Sequence, residues 1–260
     1  MGSFTNTYED KILNHILKNT ELTQPTNIYL ALSTADPTED GSGISEPSGN
    51  GYARALVNTW NAASNRQTAN TNDINFNTAT GSWGTITHWA LYDDLTAGNI
   101  IAHGSFNVSK TINAGNTAFC PAGALTVSFN SGGITTYLAN KILDHIFKNT
   151  ALTQFANLYV GLSTSNPGDS GSLAGEPSGN GYNRVLNNSW SVASGGSSSN
   201  SAIITFPTAT GSWGTVTHGF IADASTSGNV LLYGSLNSST PVTTNDVLRF
   251  NTSQLIISLD

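Results

Sequence analysis

Charge is scarce in this chain of 260 residues. Only 10% of them are Asp, Glu, Lys or Arg, against about a quarter in ordinary globular domains. The 9 basic residues face 16 acidic ones, a net charge of −7. So few cations exclude a Lys- and Arg-rich phosphate-binding face, and no nucleic-acid partner is expected. Cysteine is nearly missing as well: Cys120 stands alone, which excludes an internal disulfide and any multi-cysteine metal site and suits a reducing compartment. No apolar run reaches the roughly 18 to 20 residues that cross a bilayer, so no membrane partner is expected. The opening MGSFTNTYEDKIL has no basic segment followed by an apolar core, so no secretion signal is expected either. What is present is 38% hydrophobic and 9% aromatic residue content amid abundant Gly, Asn, Ser and Thr, a composition of folded, strand-rich proteins and not of disordered ones.

The chain is written twice. Each residue of the first half pairs without a gap with the residue 130 positions later, and about 57 of the 130 pairs are identical by this repeat comparison. KILNHILKNT at 11–20 returns as KILDHIFKNT at 141–150, EPSGNGY at 46–52 recurs unchanged at 176–182, and TATGSWGT at 78–85 recurs at 208–215. A period of this length matches an independent domain better than a solenoid unit. Two tandem domains are expected, 1–130 and 131–260, each enclosing its own core and joined at Ser131-Gly132-Gly133.

In each copy the opening segment predicts a helix: Ile12, Leu13, Ile16 and Leu17 share one helical face, and Lys11, Asn14, His15 and Lys18 the opposite arc. Alternation at Ile28, Leu30 and Leu32 predicts a strand, and the Asp-, Pro-, Gly- and Ser-rich stretch 35–51 a surface loop. Further strands are expected at 52–60, 74–76, 85–92, 99–106 and 125–129. Many short strands and one helix per copy make the expected fold mainly β: two tandem homologous β-sandwich domains, each with a short N-terminal α-helix.

The repeated motifs read first as structure. SGNGY at 48–52 and 178–182 carries the Asn-Gly pair of a tight turn and lacks the following helix and lysine of a phosphate cradle. GSWGT at 81–85 and 211–215 sets an indole between glycines, where packing is the default. The alternative is a glycan platform at Trp83 and Trp213, assisted by Asn99 and Asp93, which requires the indoles to be exposed. Trp60 and Trp190 end apolar strands and are expected inside. His88 and His218 precede Asp93 and Asp223 by five residues, which puts each pair on opposite faces of a regular strand. A structural role for these histidines is expected. His15 and His145, on the polar helix arc, are expected at solvent or a subunit contact. Glu46 with Arg54, and Glu176 with Arg184, are placed to pin the long loop to the strand after it. No nucleophile elbow or paired carboxylates of matched spacing recur, so no catalytic residue, no cofactor and no metal is expected, and the chain is read as a non-enzyme. Cys120 faces Phe250 across the repeat, so a nucleophile kept through duplication is excluded and a small core residue expected.

The order of KILDHIFKNTALTQ, NLYVGLSTSNPGD, EPSGNGY, ATGSWGTVTH, SGNVLLYGSL and the closing LIISLD resembles small structural proteins of tailed bacteriophages, the tail-fibre-like or capsid-decoration type. The resemblance spans nearly all of each copy, with TATGSWGTVTH its most specific part. It implies a non-catalytic virion component, assembled in the host cytoplasm and exposed on the particle, whose partners are other virion proteins of the capsid or tail. A homo-oligomer is expected, and a host glycan is the alternative partner. The duplication departs from the single-copy pattern expected of relatives. The two copies differ most where Trp89 meets Gly219 and where 111–122 meets 241–252.

Overall fold

The structure is a computed structural model that describes residues 2–130 and 133–259; Ser131 and Gly132, part of the expected join, lie outside the described residues. The first repeat contains β1 (Gly2–Phe4), α1 (Asn6–Leu17), β2 (Tyr29–Ser33), β3 (Ala55–Leu56), β4 (Gln67–Ala69), β5 (Ile74–Thr78), β6 (Gly84–Tyr92), β7 (Ile100–Ile112), β8 (Thr117–Cys120) and β9 (Thr126–Ser128). The second contains α2 (Thr136–Phe147), β10 (Tyr159–Ser163), β11 (Val185–Leu186), β12 (Ser197–Ser199), β13 (Ile204–Thr205), β14 (Gly214–Ala222), β15 (Val230–Val242), β16 (Arg249–Phe250) and β17 (Ile256–Ser258). The protein is mainly β, two tandem β-sandwiches each opened by a short helix. In the first repeat a seven-stranded sheet runs β3-β2-β6-β7-β1-β9-β4, with a β5-β8 ribbon. In the second a four-stranded sheet runs β11-β10-β14-β15, beside the pairs β12-β17 and β13-β16. No helix among the described residues is long and apolar enough to cross a membrane.

The helices follow local chemistry. Thr5 caps α1, its carbonyl accepting the Tyr8 and Glu9 amides, and Thr135 does the same for Ala139 in α2. Both helices stop at the repeated KNT, where Asn19 and Asn149 take φ of 59° and 57° and the Thr20 and Thr150 amides turn back to the carbonyls of Asn14 and Asp144. Asparagine tolerates this left-handed stop better than most residues.

The chain divides into two compact units that are not contiguous in sequence. One consists of Met1–Glu9, Thr23–Asn130 and Asn140–Leu152; the other of Asp10–Leu22, Ser131–Ala139 and Thr153–Asp260. Most of each repeat's helix therefore belongs to the unit built on the other repeat's strands. In the first unit Phe147 packs on Trp60 with ring centroids 4.5 Å apart, and Lys148 Nζ donates to the Trp60 carbonyl at 2.9 Å. Asp144 Oδ1 accepts the Ala63 amide and Asn140 Oδ1 that of Arg66. The second unit repeats the pattern: Lys18 donates to the Trp190 carbonyl at 2.8 Å, Asn14 accepts the Ala193 amide, and Asp10 accepts those of Gly195 and Gly196.

These bonds correct the reading of the polar helix arc. Lys18, Asn14 and their counterparts are held by loop backbone, and His15 and His145 are buried, not solvated. Each imidazole Nδ1 accepts the amide of the residue seven positions on, Leu22 or Leu152, at 3.0 Å. A buried amide without an acceptor is costly, and the histidine supplies one at the chain's exit from the helix.

Strand boundaries differ from the sequence reading in physically interpretable ways. Of 52–60 only Ala55–Leu56 forms a strand; Val57 adds one backbone bond to Ile28 and Trp60 an isolated bridge to Asn70, while the Tyr52 hydroxyl is taken by Glu46. The strand at 100 runs on to Ile112, and Gly2–Phe4, Gln67–Ala69 and Thr117–Cys120 carry too short an alternation to be seen in sequence. Loop 35–51 is not a free excursion: Ile44 folds onto the sheet face formed by Ala31, Ala90, Tyr92 and Ile100.

Candidate functional site

The two motifs shared most closely by the repeats meet each other. Gly49, Asn50 and Gly51 take successive φ values of 70°, 51° and 76°, and Gly179, Asn180 and Gly181 values of 71°, 49° and 75°. Three consecutive left-handed residues need the Gly-Asn-Gly series, since other side chains clash with their own backbone there. The turn so formed presents the Asn50 carbonyl to Trp83 Nε1 at 2.9 Å and the Asn50 amide group to the Ser82 carbonyl at 3.1 Å. A Cβ at Gly81 would fall 2.5 Å from Asn50 Oδ1, so glycine there lets the two segments touch. Asn180, Trp213, Ser212 and Gly211 repeat the arrangement.

Trp83 and Trp213 are consequently buried, each 4% exposed, and each stacks edge-on against a tyrosine, Tyr52 at 5.2 Å or Tyr182 at 5.3 Å. Neither indole offers the open face that a sugar platform requires; exposing one means detaching the turn above it. Asn99 and Asp93, the assisting groups of that reading, bond each other, the Asn99 amide group donating to Asp93 Oδ2 at 3.0 Å. Trp60 and Trp190 are inside, 3% and 1% exposed, with indole nitrogens donating to the carbonyls of Val57 and Asn187.

Below the turn lies an ion-paired clasp. Arg54 binds both carboxylate oxygens of Glu46 at 3.0–3.2 Å and donates through its remaining arm to the carbonyls of Asp94 and Ala97. Arg184 holds Glu176 at 2.7 Å and the carbonyls of Ala224 and Ser227 at 2.7 Å. Tyr52 completes the clasp: its hydroxyl donates to Glu46 Oε1 and accepts the Leu32 amide. Burial first, and then the Glu46 charge, pushes the Tyr52 phenol far above the ordinary tyrosine value, so it remains a proton donor. Long loop, following strand and hairpin turn are thus tied at one point.

The remaining candidates separate. Asp93 is engaged by the Asn99 amide at 2.6 Å and by the Tyr8 hydroxyl at 3.1 Å, while His88 turns to Thr87 and toward Asp36, so His88 and Asp93 form no dyad. Cys120 is a buried thiol, its pKa raised by burial and then by the Asp73 charge, which makes it a poor nucleophile. One structural pair was invisible to motif reading. Asn70 and Asn200, fully buried, each accept a distant amide (Leu125 or Leu255) and donate to two carbonyls. Recurrence at the 130-residue period is the signal that could have marked them.

The chain's relationships agree with its internal duplication. No curated protein matches it. The family of podophage GP4 fiber I protein gp80 matches it twice, over residues 3–128 and again over 133–258, close to the full length of each repeat. With both copies covered, the chain is a member of the podophage GP4 fiber I protein gp80 family, in tandem duplicate.

Proposed function

We propose that this protein is a non-catalytic structural component of a bacteriophage particle, exposed as part of a fibre or as a capsid-decorating subunit, and that it acts through contacts with other virion proteins. The family's name supports the fibre role. One observation carries the rest: the polar and aromatic groups shared by both repeats are engaged in holding turns, loops and helix ends together. Glu46, Arg54, Tyr52, Asn50 and Trp83 all bond one another or backbone, which leaves none of them poised over a substrate. Outer strands offer the contact surface. Leu56 and Leu186 sit on β3 and β11, the outermost strands of their sheets, and are 55% and 53% exposed. Both strands are only two residues long, so their exposed leucines, and not a long row of unpaired backbone groups, are what a neighbouring subunit would cover, and closed symmetry is the common outcome for homo-oligomers. The repeating units of sequence are 1–130 and 131–260, and two copies in one chain double the contacts per subunit.

Immunogold labelling of intact particles tests this reading. Gold on tail fibres or on heads is expected, and the site of label decides between the two placements. Antibody that labels only unassembled protein in the lysate, never particles, overturns it. No specific observation favours the glycan alternative at Trp83 and Trp213; a change in tryptophan fluorescence on adding host polysaccharide is the result that would restore it.

A further inference from the structure

The first repeat holds a cluster of four side chains that the clasp and the turn do not use. Asp36 and Glu39 come from the long loop, His88 from β6 and His103 from β7. His103 is nine-tenths buried. Its Nε2 lies 3.3 Å from Glu39 Oε1, so a proton on Nε2 is donated to that carboxylate. Its other nitrogen, Nδ1, is buried without a hydrogen-bond partner and faces Asp36 Oδ1 at 3.8 Å; Glu39 Oε2 is likewise buried and unpartnered. A buried Nδ1 this close to a carboxylate is satisfied either by a proton, which makes the ring an imidazolium between Asp36 and Glu39, or by a metal cation held between the two groups. His88 also approaches this carboxylate: Nε2 is 4.0 Å from Asp36 Oδ2, and Nδ1 is held by the Thr87 hydroxyl at 2.8 Å. Both imidazoles thus turn one nitrogen toward Asp36 and fix the other on an oxygen, the outer-shell pattern that orients metal-binding histidines.

We propose that Asp36, His88 and His103 form a binding site for a divalent transition-metal ion such as zinc, with Glu39 as the positioning residue for His103. Two imidazoles and a carboxylate suit zinc, whose ligands stand about 2.0–2.2 Å from the ion and so about 3.4 Å from one another. No trio among the described residues already stands at that spacing. Here the two imidazole nitrogens lie 3.8 and 4.0 Å from the Asp36 oxygens, and the side chain that must move, Asp36, is 61% exposed on a loop. The second repeat shows the same framework without the site. Asn166, Asp169, His218 and Tyr233 occupy the equivalent positions: an amide replaces the Asp36 carboxylate, and a phenol replaces the His103 ring, its hydroxyl donating to Asp169 Oδ1, the counterpart of Glu39, at 2.6 Å.

The test is calorimetric titration of the tag-free full chain with zinc chloride after dialysis against a chelator. One zinc per chain is expected. Replacing Asp36→Asn together with His103→Tyr installs the second repeat's own residues and is expected to weaken binding at least 100-fold. Glu39→Gln, which loosens only the orientation of His103, weakens it about tenfold, whereas His218→Ala in the second repeat leaves it unchanged. If the double variant melts as an unfolded chain, His88→Gln alone replaces it in the comparison. No zinc uptake by the parent chain, or uptake by the variants at the parent's affinity, overturns the site.

Discussion

In β6 of the first repeat the large side chain is Trp89, paired across to Leu32 and Gly104; in β14 of the second it is Phe220, one position further along and so on the other face of the sheet. Its neighbours change with it. A Cβ on Gly2 would strike the Trp89 ring, whereas in the second repeat a Cβ on Gly161 would strike Phe220. Gly219 leaves Trp89's place open, and Phe250 approaches it, its ring 3.9 Å from where a Cβ at Gly219 would stand; the first repeat has Cys120 at the position of Phe250. The aromatic under the guanidinium has moved too, from Tyr92 beneath Arg54 at 3.3 Å to Phe220 beneath Arg184 at 5.1 Å. Strand pairing between the β6-β7 and β14-β15 hairpins is otherwise equivalent. Cores accept such exchanges when total volume is kept, while turns that need positive φ and clasps that need particular donors do not.

The strongest way to break this comparison is to copy one half of the exchange. Trp89→Gly in the first repeat should cost about 4 kcal/mol, the scale of deleting a buried indole, and adding Cys120→Phe should restore at least about 1 kcal/mol of it through coupling. Urea denaturation of the single and double variants measures both; strict additivity would remove the claim that the two sites compensate. Next in size is the clasp. Arg184→Ala should lose roughly 3 kcal/mol by leaving a mostly buried carboxylate unpaired, and Arg54→Ala less, since the Arg54 and Glu46 side chains are 8% and 22% exposed against 1% and 17% for the second pair. Equal losses would show that burial does not set the difference.

A smaller effect, about 1–2 kcal/mol, is expected from His145→Phe or His15→Phe, each of which leaves a buried amide without its acceptor. Faster hydrogen exchange at the Leu152 or Leu22 amide is the local readout, and unchanged exchange rules the bond out as a structural contributor. The weakest effect separates the units by pH. Tyr8, Tyr52 and Tyr92 all have raised pKa values, chiefly from burial, and the first two sit far above the ordinary value of 10.0. In the second repeat Leu138 and Ala222 replace Tyr8 and Tyr92, leaving Tyr182 as the strongly raised group, with Tyr137 raised to a lesser extent. A raised folded-state value means the stabilisation is complete below pH 10 and is lost as pH rises beyond it. The first unit should therefore weaken sooner in alkali, seen as earlier loss of amide protection on its strands above pH 10.

Much of this was readable along the chain because it is local. The helix follows from Ile12, Leu13, Ile16 and Leu17, the turn from Gly-Asn-Gly, and the Glu46–Arg54 pair from residues eight apart at the mouth of one loop. His15 and His145 were misread for the complementary reason. A helical wheel shows which residues share an arc, but not that loop backbone from far along the chain covers the polar one. Asn70 escaped notice because two of the three partners of its side chain lie 51 and 55 residues away.

Duplication, mainly β character and the places where the chain must turn are inscribed in the order of residues, since backbone preferences act over a handful of neighbours. Which strands each helix completes, how Trp89 and Phe250 divide one volume between two positions, and the meeting of His103 with Asp36 and Glu39 arise only on folding. Those contacts join residues tens of positions apart, and they are selected by how well side chains fill space and satisfy buried polar atoms, quantities no short stretch of sequence contains.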